Sequence, residues 1–169
     1  MRILIISDTH RNNRNFDKVI AAVGQPDLFI HCGDISGSEL YFQGALNCPT
    51  VMVAGNNDFL SPLNNEEIVP VMGHKILVTH GHQHAVSYNN LRIKAHAAER
   101  GADIVLFGHT HRPEKEYDDK LGMWLANPGS LSYPRQDNGY PSYMIMEIED
   151  SGEIHFTINY LKNENLNLW

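Results

Sequence analysis

The chain has 169 residues, 42% hydrophobic and 20% charged, which suits one globular domain with a sizeable core. Its formal charge of −7 is spread along the sequence and its 13 lysines and arginines form no cluster, which disfavours a nucleic-acid surface, since that needs a basic stripe. No stretch approaches the roughly 20 apolar residues of a membrane span, the first apolar run stops at Asp8 before it could serve as a signal peptide, and two cysteines without CxxC spacing, Cys32 and Cys48, suit a reduced, cytoplasmic setting.

The N-terminal half alternates strand and helix. Arg2 to Ile6 reads as a strand, after which Phe16, Val19, Ile20 and Val23 recur at helical spacing until Gly24 and Pro26 stop the helix. A strand at Leu28 to Ile30, a helix at about Ser38 to Leu46 that ends before Pro49, and a strand at Thr50 to Val53 continue the rhythm. This βαβαβ order predicts parallel strands with right-handed crossovers.

Next, Ile68 to Met72 and Lys75 to Val78 form a predicted hairpin around a Gly73-His74 turn. A helix from about Ser87 to Glu99 is closed by Gly101, and a strand follows at Ile104 to Phe107. The remainder is β-rich: Glu114 to Tyr117, Gly122 to Ala126, Ser142 to Ile148 and Glu153 to Tyr160. Met144, Met146 and Ile148 alternate with Ile145 and Glu147, as in a strand between two environments. The expectation is an α/β fold, a single domain over 1–169. Two mixed β-sheets pack as a sandwich flanked by helices, giving four αββα layers.

Four of the predicted strands, and the second arm of the hairpin, run directly into segments rich in metal-binding side chains. These are Asp8-Thr9-His10, Gly33-Asp34, Gly55-Asn56-Asn57-Asp58, Thr79-His80-Gly81-His82 and Gly108-His109-Thr110-His111. Each is weak alone. Asp8 and His10 suit an exposed loop, Asp34 an N-cap, and Asn56 to Asp58 a turn. Together they place carboxylates, an amide and several imidazoles at the ends of strands, which converge at one sheet edge. Oxygen and nitrogen donors without thiolate favour Mn²⁺, Fe or Zn²⁺ over soft metals, and the imidazoles disfavour an all-oxygen Ca²⁺ or Mg²⁺ site.

In this order the five segments resemble the calcineurin-like metallophosphoesterase superfamily. The later Asn127-Pro128-Gly129-Ser130, followed by Pro134-Arg135, resembles its small single-domain phosphodiesterases, a group related to the retromer scaffold subunit of the same fold. The resemblance implies two divalent ions, Mn²⁺ first, with Fe, Zn²⁺ or Ni²⁺ as alternatives. Asp8, His10, Asp34 and His111 would hold one ion. Asp34, Asn56, His80 and His109 would hold the other, with Asp34 shared between cations ~3.5–4 Å apart. It implies hydrolysis of a phosphodiester in a small phosphorylated substrate by a hydroxide bridging the ions. The alternative is a scaffold of the same fold whose former active site contacts other proteins.

Three further residues are candidates for the reaction. His82 would contact the substrate or leaving group, Asp58 would orient a neighbour, and Arg135 would hold a phosphate oxygen. A solvated histidine and a surface arginine are the plainer readings of His82 and Arg135. Asn57 stands where many members carry a histidine that assists the leaving group, and an amide cannot donate that proton. Arg11 stands where glycine is common. Relatives of this type often pair as homodimers, and the apolar tail Leu166-Asn167-Leu168-Trp169 is a candidate docking segment. His31, His74, His84, His96 and His155 receive no functional role.

Overall fold

The computed structural model describes residues 1–162, so the tail segment Leu166 to Trp169 lies outside the described residues. The first half contains β1 (Arg2–Ile6), α1 (Asn13–Val23), β2 (Leu28–His31), α2 (Glu39–Ala45), β3 (Thr50–Met52), β4 (Glu66–Val71) and β5 (His74–Thr79). A single 3₁₀ turn, His82–His84, precedes α3 (Leu91–Glu99), β6 (Ile104–Leu106), β7 (Pro113–Asp118), β8 (Met123–Pro128), β9 (Ser142–Ile148) and β10 (Ile154–Tyr160).

Two five-stranded sheets result, with strand orders β10-β9-β1-β2-β3 and β4-β5-β6-β8-β7. In the first, β1, β2 and β3 are parallel, Ile3 standing opposite Leu28 and Phe29 opposite Thr50, while β9 runs antiparallel to β1. In the second, β5, β6 and β8 are parallel and the edge strands β4 and β7 antiparallel.

The period of two in a strand explains the layering. Ile3, Ile5, Ile30, Met144 and Met146 point between the sheets, where Ile76, Val78, Ile104 and Leu106 of the second sheet meet them. The intervening Leu4, Ile6, Phe29 and Ile145 face outward to Phe16 and Val19 of α1 and Phe42 of α2. On the far side Leu77, Val105 and Leu125 pack against Ile93 and Ala97 of α3. Each buried Leu, Ile or Phe contributes roughly 1.5–3 kcal/mol, which is why β1 and β6 are apolar on both faces. The result is the α/β sandwich with four αββα layers.

Most boundaries shift by one or two residues, and two of the differences have a local cause. The hairpin turns on Met72 and Gly73, with φ of 48° and 86° and Val71 paired to His74, so His74 opens β5 instead of lying in the turn. α3 begins at Leu91, four residues after the expected Ser87, because Asn89 Oδ1 accepts the Leu91 N–H at 3.0 Å. Such a side-chain turn competes with the helical ladder.

Candidate metal centre

The loops after β1, β2, β3, β5 and β6 leave parallel strands at their C-terminal ends, and they meet at one edge of the sandwich. Glycine lets them approach. A Cβ at Gly55 would fall 2.2 Å from Asp34 Oδ1 and 2.3 Å from the Asp34 backbone nitrogen. One at Gly108 would fall 2.0 Å from Ser7 Oγ and 2.8 Å from Asp8 Oδ2. Neither glycine has a left-handed φ, so space alone excludes a side chain there.

Five of the seven candidate donors, by contrast, are left-handed: Asp8 (φ 54°), His10 (44°), Asp34 (57°), His109 (68°) and His111 (59°). Each costs of order 1 kcal/mol or more and persists because its surroundings fix it. The Asp8 N–H donates to Gly33 O at 3.0 Å and the His10 N–H to Asp34 O at 2.9 Å. The His109 N–H donates to Asp8 Oδ2 at 3.1 Å, an oxygen that also accepts from Ser7 Oγ at 2.6 Å.

The seven sequence-predicted donors come together in two groups that share Asp34. In the first, Asp8, His10, Asp34 and His111 each offer an atom within 4.8 Å of the others. His111 Nε2 lies 3.0 Å from Asp8 Oδ1, and His10 Nε2 lies 3.7 Å from Asp34 Oδ2. In the second, Asn56 Oδ1 is 3.1 Å from His80 Nε2 and 2.9 Å from His109 Nδ1, and His80 Nε2 is 3.6 Å from Asp34 Oδ2.

Several of these contacts set one lone pair against another. His80 Nδ1 donates to Cys32 O and His111 Nδ1 to Tyr133 O, each at 2.7 Å. In the neutral rings both Nε2 atoms are therefore acceptors, aimed at carboxylate and amide oxygens. Among the described residues, Asp8 Oδ1 is buried and has no hydrogen-bond partner. A buried acceptor among acceptors needs positive charge, so the residues fit divalent cations.

The charge balance agrees. Burial opposes ionisation of Asp8, yet the nearby His111 and His80 rings and the Ser7 hydroxyl hold its pKa below the ordinary value. Burial likewise opposes protonation of His111, but Asp8 and the Tyr133 carbonyl raise its pKa. For His109, burial leads and the neighbouring His80 adds to it, lowering the pKa.

The remaining candidates sit around the cluster. The His82 ring centroid is 5.4 Å from that of His80 and 6.1 Å from that of His109, and its buried Nδ1 has no partner. Burial, then the charge of His80, keeps its pKa low. Asp58 lies behind the loops, where Oδ2 accepts the N–H groups of Ile35 (3.1 Å) and Gly55 (2.8 Å) and Oδ1 that of Ser36 (2.6 Å). Its oxygens are committed to backbone, so it positions the Asp34 and Asn56 loops. Arg135 lines a cavity of about 380 Å³ with Ser87, Thr110 and Arg112, and its N–H donates to His111 O at 3.0 Å. Asn57 donates to both Asp34 oxygens, from its N–H at 2.8 Å and its side chain at 2.6 Å. Arg11 lines a second cavity, of about 510 Å³, with Asn57, Phe59 and Leu60. Its φ of 66° accounts for a preference for glycine there.

Sequence reasoning gave no role to Asn127, Ser130 and His31. Asn127 Nδ2 donates to Gly108 O at 2.8 Å and to Thr110 Oγ1 at 3.1 Å, bracing the His109 loop. Ser130 Oγ donates to Asp8 O at 2.9 Å. His31 is fully buried, with Nδ1 accepting the Gly33 N–H at 3.2 Å and Nε2 set 3.0 Å from Thr9 Oγ1, so it ties the Asp8 loop to the Asp34 loop. The clustering of Asn127 and Ser130 in one short stretch after a strand was the signal available for the first two.

Residues 1–151 match the family model described as the calcineurin-like phosphoesterase superfamily domain. The chain is 36% identical over 158 residues to a Bacillus subtilis (strain 168) protein named probable metallophosphoesterase YsnB, covering 92% of this chain and 90% of that one. Among solved structures, a predicted phosphoesterase from Streptococcus pneumoniae TIGR4 superimposes with a TM-score of 0.77 at 29% identity, over 95% of this chain and 88% of that one. Wild-type Vps29 of Entamoeba histolytica, complexed with zinc, gives a TM-score of 0.75 at 25% identity, over 95% and 99%. Among the described residues, no helix is long and apolar enough to cross a membrane.

Proposed function

The chain belongs to the calcineurin-like phosphoesterase superfamily, and from that premise we propose that it is a metal-dependent phosphodiesterase with a dinuclear centre. The observation that carries this reading is the convergence of Asp8 Oδ1, His80 Nε2 and His111 Nε2, buried polar atoms with the two ring nitrogens 3.9 and 3.0 Å from the carboxylate oxygen. Asp8, His10, Asp34 and His111 would hold one ion, and Asp34, Asn56, His80 and His109 the other, with Mn²⁺ as the working metal. When bound, two such ions supply Lewis acidity toward phosphoryl oxygens and acidify water.

The chain's own groups do the rest. Asn57 fixes both oxygens of the shared Asp34, and Asp58 pins the loops on either side of it. Arg135 and Arg112 offer guanidinium donors to a non-reacting phosphoryl oxygen. His82, whose ring lies beside those of His80 and His109, is the candidate for contacting the substrate or leaving group. Asn57 can donate a hydrogen bond but no proton, so esters whose leaving oxygen departs unprotonated are the better substrates. The diester preference rests on the Asn127 to Ser130 stretch, and the cytoplasmic placement on the free thiols Cys32 and Cys48.

The test is a panel of aryl phosphomonoesters, phosphodiesters and nucleotides assayed with Mn²⁺, Zn²⁺, Ni²⁺ and Fe²⁺, beside Asp34→Asn. Expected are Mn²⁺-dependent diester hydrolysis with two ions per chain, and an Asp34→Asn variant no faster than metal-free protein. Full activity in that variant would assign the hydrolysis to another site or to a contaminant.

A protein-contact scaffold is the second reading, favoured by Phe59 and Leu60, which stand 86% and 99% exposed beside Asn57. Fewer than one divalent ion per chain after incubation with Mn²⁺, together with no hydrolysis, would select it.

A further inference from the structure

Apart from the seven-residue cluster, Glu66, His84 and His96 bring one carboxylate and two imidazoles together, with a donor atom from each within 4.8 Å of the others. The fold dictates the meeting. Glu66 opens β4 opposite Thr79 of β5, so its side chain shares the sheet face of Thr79 and Leu77, the face that α3 covers. His96 lies on α3 beside the buried Ala97. His84 closes the 3₁₀ turn that follows His80 and Gly81. Three elements far apart in sequence therefore deliver donors to one half-buried spot.

The local chemistry is that of a cation site. His96 Nε2 lies 2.6 Å from Glu66 Oε2. The His84 and His96 rings are 4.7 Å apart and tilted by 32°. Arg100 pairs with the other glutamate oxygen, Oε1, which leaves Oε2 to His96. Burial, and the charge of His96 beside it, hold the His84 pKa below the ordinary histidine value. Two adjacent imidazoles repel one another once both are protonated, whereas one divalent ion satisfies both.

We propose that Glu66, His84 and His96 form a separate single-ion site for a late first-row divalent cation such as Zn²⁺. Two histidines and a glutamate with a fourth position open are a common zinc donor set, and the imidazoles select against Mg²⁺ and Ca²⁺. An ion there fastens the turn carrying His82 to β4 and α3. Gly81 and Ala85, with φ of 94° and 56°, bracket that turn. The inference does not rest on the phosphoesterase reading.

Native mass spectrometry of chelator-stripped full-length protein titrated with Zn²⁺ tests it, comparing wild type, His84→Gln, His96→Gln and Asp34→Asn. The expected result is one Zn²⁺ fewer in each histidine variant than in wild type, with the ions that Asp34→Asn loses still bound. Equal zinc counts in wild type and both histidine variants overturn the site. His96→Gln also removes the Glu66 contact, so circular dichroism checks its fold, and His84→Gln, on a surface turn, decides the matter if that fold is disturbed. An unchanged count in Asp34→Asn alone would count against the dinuclear centre and leave this site standing.

Discussion

Three backbone N–H groups converge on the single carboxylate of Asp58, from two loops that each carry a candidate ligand. Asp58→Ala strands those donors in a buried place, and we expect a loss of about 3 kcal/mol in urea denaturation, with weaker Mn²⁺ binding in the same variant. A stability within about 0.5 kcal/mol of wild type would deny it the bracing role. His31 supplies a pH signature. Burial pushes its pKa from 6.5 down to about 3, so as pH falls the unfolded chain takes up a proton that the folded chain refuses. The contribution is whole above about pH 6.5 and declines by about 1.4 kcal/mol per pH unit between there and about pH 3. His31→Gln flattens the dependence of unfolding free energy on pH across that window by close to one proton, and an unaltered slope would contradict the assignment. That the seven candidate donors would meet was legible because each follows a strand and carries chemistry of its own. Asp58 was read as orienting a neighbour, but the bracing by Ser130 and Asn127 was not legible, since they act on loops as many as 122 residues away, which leave no mark on composition or spacing.

At the scale of elements, strand and helix positions followed from periodicity, because β1, β2 and β9 each put apolar side chains on two faces that different layers cover. The order of strands was hidden. β8 reaches the second sheet after β7 yet sits inside it, between β6 and β7, a choice made by contacts between distant segments. The late start of α3 was hidden for another reason, a side-chain hydrogen bond within the preceding turn. Loop closeness gives a prediction here. Gly55→Ala and Gly108→Ala each press a methyl into a neighbouring loop at 2.0–2.2 Å. Both should fold with near-native circular dichroism and lose ions from the cluster by metal analysis. Gly44→Ala, with open space around its Cβ position, is the control that should bind as wild type does. Full ion content in either loop variant would show that the approach is not required.

For the whole molecule, the division of donors between the sheets matters most. Asp8, His10, Asp34 and Asn56 follow strands of the first sheet, and His80, His109 and His111 follow strands of the second. Ion binding at the proposed centre would thereby be linked to the packing of the two sheets. Mn²⁺ at about 100 times its Kd should add about 2.7 kcal/mol to unfolding free energy, seen as a raised Tm in calorimetry and absent in Asp34→Asn. An equal rise in both proteins would place the binding elsewhere.

The left-handed turns at Asp8, His10, Asp34, His109 and His111 reach further than local strain. Because amides and carbonyls of the chain itself hold those turns, the socket's shape is written into the polypeptide and needs no mould. Chelator-stripped protein is therefore expected to keep near-native circular dichroism and to take up ions afterwards. Such a berth would let one cation replace another without being reshaped, leaving supply in the surroundings to decide which ion is bound.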